Sequence, residues 1–261
     1  MELSTSVDKA LDLVFHLHEK ATPQGISQVA RDLGLPKASV HRLLQTLTRR
    51  GLTEQGDDGR YRPGGALIAL GLGVLEREPV VELARPVLQA EAEALGETVF
   101  LTALRAAQMV VLDKAEGSGF LRAAPQVGAS VPLHATAVGK LALAFGAVPD
   151  LALQDLAAFT AKTRTEESAL AVELALTRTR GHATNQDEWV DGLSVVAAPV
   201  RAPRDGRFIA ALAIAAPTPR MLALGFDAVA SVAVRAAAEI EARLAGQIEP
   251  ATRATASRRA S

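Results

Sequence analysis

Seven side chains between residues 37 and 49 have the types and the spacing to read a polyanion. Projected at about 100° per residue, Ala38, His41, Arg42, Gln45 and Arg49 share one face of a helix, with Lys37 and Ser39 at its edges. Lys and Arg neutralise phosphates, and Arg, Gln, Ser and His carry donors that can meet base edges in a major groove. Arg60 and Arg62 alternate to one side of a short strand, where they can grip a phosphate or a minor groove, and Ser27 adds a donor for the backbone. A second set, His134, His182, Asp187 and Glu188, contains the residue types of acid–base or metal chemistry. Its spacing matches no metal motif, and neither a Gly-rich phosphate loop nor a Ser-centred nucleophile elbow accompanies it. An enzyme built on His134, His182 and Asp187 is therefore the alternative reading, with His134 more simply a satisfied histidine ahead of a helix. No catalytic residue, metal or cofactor is assigned.

The cationic face needs a rigid mount, and the surrounding residues supply one. Val40, Leu43, Leu44 and Leu47 form the opposite, apolar stripe of a helix over Pro36 to Arg50. Pro36 suits a first turn, where its missing N–H has no intrahelical partner, and Gly51 suits the stop. A shorter helix from Ile26 to Leu33 precedes it across Gly34-Leu35. Leu52 to Gln55, the turn Asp57-Asp58-Gly59 and Arg60 to Arg62 make a hairpin. That order of parts is a winged helix-turn-helix, in which the N-terminal half of the second helix enters the major groove. Lys37, Ala38, Ser39, His41 and Arg42 are then the expected base readers, and Gln45 and Arg49 the expected phosphate contacts. Val7, Ala10, Leu11, Val14, Phe15 and His18 predict a first helix packed beneath, with His16 and His18 at its surface or boundary.

With 261 residues the chain suits two domains. Hydrophobic residues make up 49% but aromatics only 3%, so the cores are expected to be aliphatic. The net charge of −1 argues against a uniformly basic nucleic-acid coat, yet Arg31, Lys37, Arg42, Arg49 and Arg50 face Asp32 alone across residues 31–50. The absence of cysteine excludes disulfides, thiolate metal sites and Cys nucleophiles. No signal-like segment opens the chain, and the most apolar run, Val131 to Val148, is broken by His134 and Lys140. A soluble cytoplasmic protein without membrane partners is expected.

Residues 64–79 predict a linker helix ending near Pro79. Its stripe of Leu67, Leu70 and Val74 is too apolar for a solvated connector and is a candidate dimer contact. Beyond it the pattern predicts a helix over Val80 to Leu95 with a break or first turn at Pro86, and strands at Thr98 to Leu104, Met109 to Asp113 and Phe120 to Ala123. Helices follow at Ala135 to Phe145, Asp150 to Phe159 and Glu166 to Arg180. A hairpin of Leu193 to Val200 with Phe208 to Ala215 and a helix over Val229 to Leu244 complete the domain. Hairpins interleaved with helices make this domain, residues 80–246, α+β. Residues 247–261 lack an apolar period and are expected to be disordered.

Val131-Pro132-Leu133-His134-Ala135-Thr136-Ala137-Val138-Gly139-Lys140, following the helix-turn-helix, resembles a segment of the IclR (isocitrate-lyase regulator) family of bacterial transcription factors. Leu35 to Leu44, Gly181 to Gly192 with Asp187-Glu188, and Ala197-Ala198-Pro199-Val200 followed by Gly206-Arg207 and Ala210 to Pro217 match further family segments in order. The resemblance runs from about Ser4 to Ala245. It implies a winged helix-turn-helix (residues 1–63), a linker helix and a GAF-like antiparallel-sheet domain that binds a small effector. It also implies a homodimer or dimer of dimers on a double-stranded operator, with repression favoured over activation. By matched position the effector cavity would be lined by Phe120, Val131, Ala137, Val138, Asn185, Val195, Ala213 and Ala215. Small-oxoacid binders of the family carry a carboxylate, a thiol and two hydroxyls where this chain has Asn185, Val195, Ala213 and Ala215. A small carboxylate would thus lose several protein hydrogen bonds here. A more apolar or aromatic effector is expected, anchored by Asn185, Thr136 or a backbone amide.

Overall fold

The structure is a computed structural model that describes residues 5–75, 78–105, 107–119, 126–146, 148 and 156–257. The chain divides into two compact units, Met1–Arg77 and Glu78–Ser261.

In the first unit, α1 (Thr5–Glu19), α2 (Ile26–Asp32) and α3 (Lys37–Arg49) precede the hairpin of β1 (Thr53–Gln55) and β2 (Tyr61–Pro63), and α4 (Gly65–Leu75) follows. Gly34 holds the turn between α2 and α3 at φ +62°, a left-handed conformation that side chains with a Cβ rarely adopt. Pro36 takes the cap position of α3, and Gly51, at φ +72°, ends the turn that follows it. The α3 stripe then meets α1 and α2 in a core of Leu13, Leu17, Val29, Ala30, Val40, Leu44, Leu47 and Tyr61.

Two sequence expectations change here. Helix α1 carries two apolar stripes, and the one buried contains Leu13, His16 and Leu17, whereas Val7, Leu11 and Phe15 are exposed. His16 is accordingly inside, its Nε2 3.3 Å from an Asp32 carboxylate oxygen, and not at the surface. Helix α4 is described as far as Leu75, and Pro79, where the linker helix is expected to end, opens the next helix. Ile68, Leu70, Leu72 and Val74 of α4 are all exposed.

The second unit begins with α5 (Pro79–Leu95). Pro86 lies inside it without a break, because the carbonyl it orphans belongs to Glu82 on the exposed side of the helix, where water can serve it. Six strands among the described residues form one antiparallel sheet: β3 (Thr98–Arg105), β4 (Gln108–Ala115), β5 (Ser130–Val131), β6 (Ala183–Gln186), β7 (Leu193–Arg201) and β8 (Phe208–Pro217), in the order β5-β4-β3-β8-β7-β6. Alternation divides its side chains between two buried faces. Phe100, Met109, Val195, Ala197, Ala211, Ala213 and Ala215 pack with α6 (Ala137–Ala144). The intervening Val99, Leu101, Val196, Ala198, Leu212 and Ile214 are buried on the face that meets α5 and α9 (Phe226–Ser257). Both faces are covered, so β7 and β8 read as continuous apolar runs.

Helix α7 (Glu167–Arg180) ends at Gly181 in the left-handed region, as its sequence predicts, and the short α8 (Thr218–Leu224) was not anticipated. Leu156 to Phe159 are not helical, contrary to expectation, while the rest of that segment and the strand expected over Phe120 to Ala123 lie outside the described residues. The backbone of α9 runs on to Ser257, into the segment where disorder is expected. No single helix among the described residues is long and apolar enough to cross a membrane.

Candidate DNA-reading and ligand-binding sites

Burial of Val40, Leu44 and Leu47 turns the other side of α3 outward. Lys37, Ala38, His41, Arg42, Gln45 and Arg49 are exposed and Ser39 is half-buried, as the helical projection predicts; Ser27 is exposed on α2. Lys37, Arg42 and Arg49 make no ion pair among the described residues. Glu54 pairs with Arg62 across the hairpin, and Tyr61 between the two arginines is buried, so Arg60 and Arg62 do project to one side. Both carry an acidic neighbour: Asp58 lies 3.7 Å from Arg60, and Glu54 holds Arg62.

The expected effector residues converge, Phe120 alone lying outside the described set. Val131, Ala137, Val138, Val195, Ala213 and Ala215 belong to one apolar cluster, with Asn185 directly across from Val195, Val195 from Ala215, and Ala213 from Phe100. The two polar members are already engaged. Asn185 Nδ2 donates to the Ala135 carbonyl (2.9 Å), and its Oδ1 accepts from the Glu188 N–H (2.9 Å). Thr136 caps α6, its hydroxyl accepting from Gly139 N–H (3.1 Å) and donating to the Pro132 carbonyl (2.6 Å). Asn185 of β6 therefore ties the approach to α6 and the acidic loop to the sheet, and Thr136 fixes the start of α6.

Around that loop lies an ionic network whose centre the sequence reading missed. Lys140, fully buried on α6, places Nζ 2.7 Å from Glu188 and 3.0 Å from the Thr184 carbonyl, and Arg164 meets the other Glu188 oxygen at 2.7 Å. Burial is the strongest influence on the Lys140 ammonium and takes it below its ordinary pKa despite the attraction of Glu188. Asp187, at φ +59°, accepts from Thr218 (2.5 Å) and Gly192 N–H (3.0 Å) and pairs with Lys162 (2.6 Å). Burial alone would raise its pKa, but these three partners outweigh burial and lower it. Asp187 should then stabilise the fold fully above the ordinary carboxyl value of 3.8 and lose that contribution as pH falls towards its lower folded value. Acid unfolding of Asp187→Asn checks this: its stability should depend less on pH than that of the wild type below about pH 4, and equal slopes would refute the assignment.

Comparison with known proteins identifies the assembly of these parts. Residues 6–57 match the IclR helix-turn-helix domain, and residues 72–242 match the bacterial transcriptional regulator IclR C-terminal domain.

The chain belongs to the IclR family.

It is 32% identical over 226 residues to the HTH-type transcriptional regulator XynR of Escherichia coli (strain K12), covering 85% of this chain and 89% of that protein. It is 26% identical over 242 residues to the transcriptional repressor IclR of the same organism, covering 90% and 88%. An IclR homologue from Microbacterium hydrocarbonoxydans, solved in complex with 4-hydroxybenzoate, superposes with a TM-score of 0.80 at 23% identity, covering 92% of this chain and 99% of that one.

As an IclR-family protein this chain is a DNA-binding transcriptional regulator and not an enzyme. The residues of the enzymatic alternative have separate partners. His134 Nε2 is 2.9 Å from the Ala157 carbonyl with its ring 5.7 Å from that of Phe159, and Asp187 is held by Lys162 and Thr218. His182 lines a cavity of about 820 Å³ with Lys162, Arg164, Arg180, Gln186 and Asp227. None of the expected effector residues lines that cavity or a second one of about 530 Å³ at the opposite end of β8.

Proposed function

We propose that this IclR-family regulator is a cytoplasmic repressor that binds an inverted-repeat operator as a homodimer or dimer of dimers and whose operator affinity is set by an apolar or aromatic effector. Lys37, Ala38, Ser39, His41 and Arg42 read base edges, while Ser27, Gln45, Arg49, Arg60 and Arg62 hold phosphates. The recognition helices of a dimer then meet half-sites about 34 Å apart or a multiple of that spacing. The exposed stripes Val7-Leu11-Phe15 on α1 and Ile68-Leu70-Leu72-Val74 on α4 support dimerisation, since a monomer leaves both in water. The repressor among its relatives supports the sign of regulation.

One observation carries the effector class: the cluster around Ala213 offers aliphatic side chains, and its polar members, Asn185 and Thr136, already have protein partners. An oxoacid entering there would exchange water for few hydrogen bonds. The aromatic acid bound by the Microbacterium homologue is in keeping with this class. By linkage, effector and operator change each other's affinity by the same factor.

A thermal-shift screen tests the proposal. Aromatic and aliphatic compounds at a hundredfold excess over Kd should raise Tm by about 5–10 °C, whereas tight binding of glyoxylate or pyruvate in preference to them refutes it. Ala213→Asp should abolish effector binding or destabilise the unit; unchanged affinity and stability would place Ala213 outside the cavity.

A further inference from the structure

The cavity of about 530 Å³ lies wholly within the second unit and has the composition of a ligand site unlike the apolar cluster. It opens between the first turn of α5, the end of β3 and the β7–β8 hairpin. Phe145, Phe208, Leu104 and Ile209 give it an apolar wall, and Arg105 and Arg207 bring two guanidinium groups to it. Its volume falls within the usual range for small-molecule sites, where an apolar wall with a few polar groups fixes both affinity and orientation.

The charges there are not closed upon themselves. Arg207 has a side chain 72% exposed, and its neighbour Asp205 is 56% exposed at 3.3 Å on a tight hairpin, a pairing that water screens heavily. Arg105 donates one N–H to the Leu104 carbonyl (2.8 Å) and another to Glu78, which leaves guanidinium donors for a further acceptor. Arg201 lies 4.9 Å from the centre of the Phe145 ring, adding a third positive charge behind the apolar wall. Glu78 and Pro79 place the start of the 17-residue helix α5 at the same cavity, with no side chain capping it. Glu78 is the one carboxylate among the residues lining the cavity.

The larger cavity differs in its lining: Lys162 and Arg164 are committed to Asp187 and to Glu188 and Glu173, and Phe226 is the one apolar side chain among the described residues that line it with Arg180 and the other polar groups.

We propose that the cavity framed by Arg105, Phe145, Arg207 and Phe208, whose phenylalanines pack against the apolar cluster but which none of the cluster's buried members lines, is a second ligand site that takes an amphipathic carboxylate with its acid group on the two arginines and its apolar body against the two phenylalanines. The carboxylate competes with Glu78 for Arg105 and with Asp205 for Arg207, so binding loosens the ion pair that ties the start of α5 to the end of β3. This proposal does not rest on the effector assigned to the core, and the two are tested apart.

The probes are 4-phenylbutyrate and its uncharged counterpart 4-phenyl-1-butanol, titrated calorimetrically into the full chain and into Arg207→Gln, Arg105→Gln and Arg204→Gln. The acid should bind at least about tenfold more tightly than the alcohol, and Arg207→Gln and Arg105→Gln should each remove about tenfold or more of that affinity, the range expected for a charge-assisted hydrogen bond. Arg204→Gln, exposed on the same hairpin but outside the cavity's lining, should leave the acid's affinity unchanged. Arg207 is exposed enough that its replacement leaves the fold intact. Equal affinity for acid and alcohol overturns the second site, and indifference to both Arg207→Gln and Arg105→Gln overturns it and assigns the ligand to the core. A loss in Arg204→Gln equal to that in Arg207→Gln also overturns it, since the acid then answers only to the charge of the hairpin.

Discussion

Glu188→Ala should destabilise the C-terminal unit by about 3–5 kcal/mol, the cost of removing one partner from a buried ion pair. Lys140 Nζ has no exposure, and without Glu188 its remaining near acceptor is the Thr184 carbonyl. Glu173 stands 4.0 Å away and shares its charge with Arg164. Arg164, about one-third exposed, can turn to water, so the penalty falls on Lys140. Lys140→Met should cost less, because Glu188 keeps Arg164 and the methionine fills the stem's volume without a charge. Urea unfolding of the two variants checks the order, and a Glu188→Ala loss below about 1 kcal/mol would mean that water reaches Lys140 and the pair is not buried in solution.

The same variant carries a pH signature. Burial already lowers the Lys140 pKa below 10.5, and deleting Glu188 removes the main opposing attraction. Between the lowered folded value and 10.5 the unfolded chain binds more protons than the folded one. Stability contributed through this group therefore rises with pH across that window. The rise should be steeper in Glu188→Ala than in wild type and absent in Lys140→Met.

Lys140 also shows where sequence reading ends. Within Val131 to Val148 it resembles an interruption of an apolar run, and the sequence contains no sign that Glu188, 48 residues later, receives it in the core. The signal was available in another form: a lysine flanked by Val138, Gly139 and Leu141 on a short apolar helix cannot point to water unless the helix has an outer face, and α6 has almost none. Asn185 is a comparable case. It lies opposite Val195 across β6 and β7, and the carbonyl and amide that occupy it belong to Ala135 and Glu188, partners set by tertiary structure.

The DNA-reading unit was legible because its constraints are local. Pro36 and Gly51 bound α3, Gly34 permits the turn before it, and a single strong stripe fixes which side faces out. Helix α1 defeats the same procedure: with Val7, Leu11 and Phe15 on one side and Leu13 and Leu17 on another, periodicity cannot say which stripe meets the core. The exposed stripe is one of the two on which the proposed dimer rests. In the second unit, β7 and β8 stood out through their apolar runs and the Arg204-Asp205-Gly206 turn. The four-residue edge strand β6 was too short and polar to register.

Arg42→Ala should weaken operator binding by about ten- to a hundredfold, the value of a good bidentate base contact, and leave effector affinity near that of wild type. Arg42 is exposed on α3, one turn from its start, and its guanidinium has no acidic partner among the described residues, so it pays no cost to release one on meeting DNA. Arg62 is the internal comparison. Glu54 already holds it, so DNA must displace that pairing, and Arg62→Ala should cost less than Arg42→Ala. Fluorescence anisotropy on operator and on scrambled duplex separates the roles. A base reader loses its affinity mainly on the operator. A phosphate contact loses it equally on both and lowers the slope of log affinity against log salt by about one. Equal loss on the two duplexes for Arg42→Ala would move Arg42 from the bases to the backbone and leave Lys37, Ser39 and His41 to carry the sequence reading.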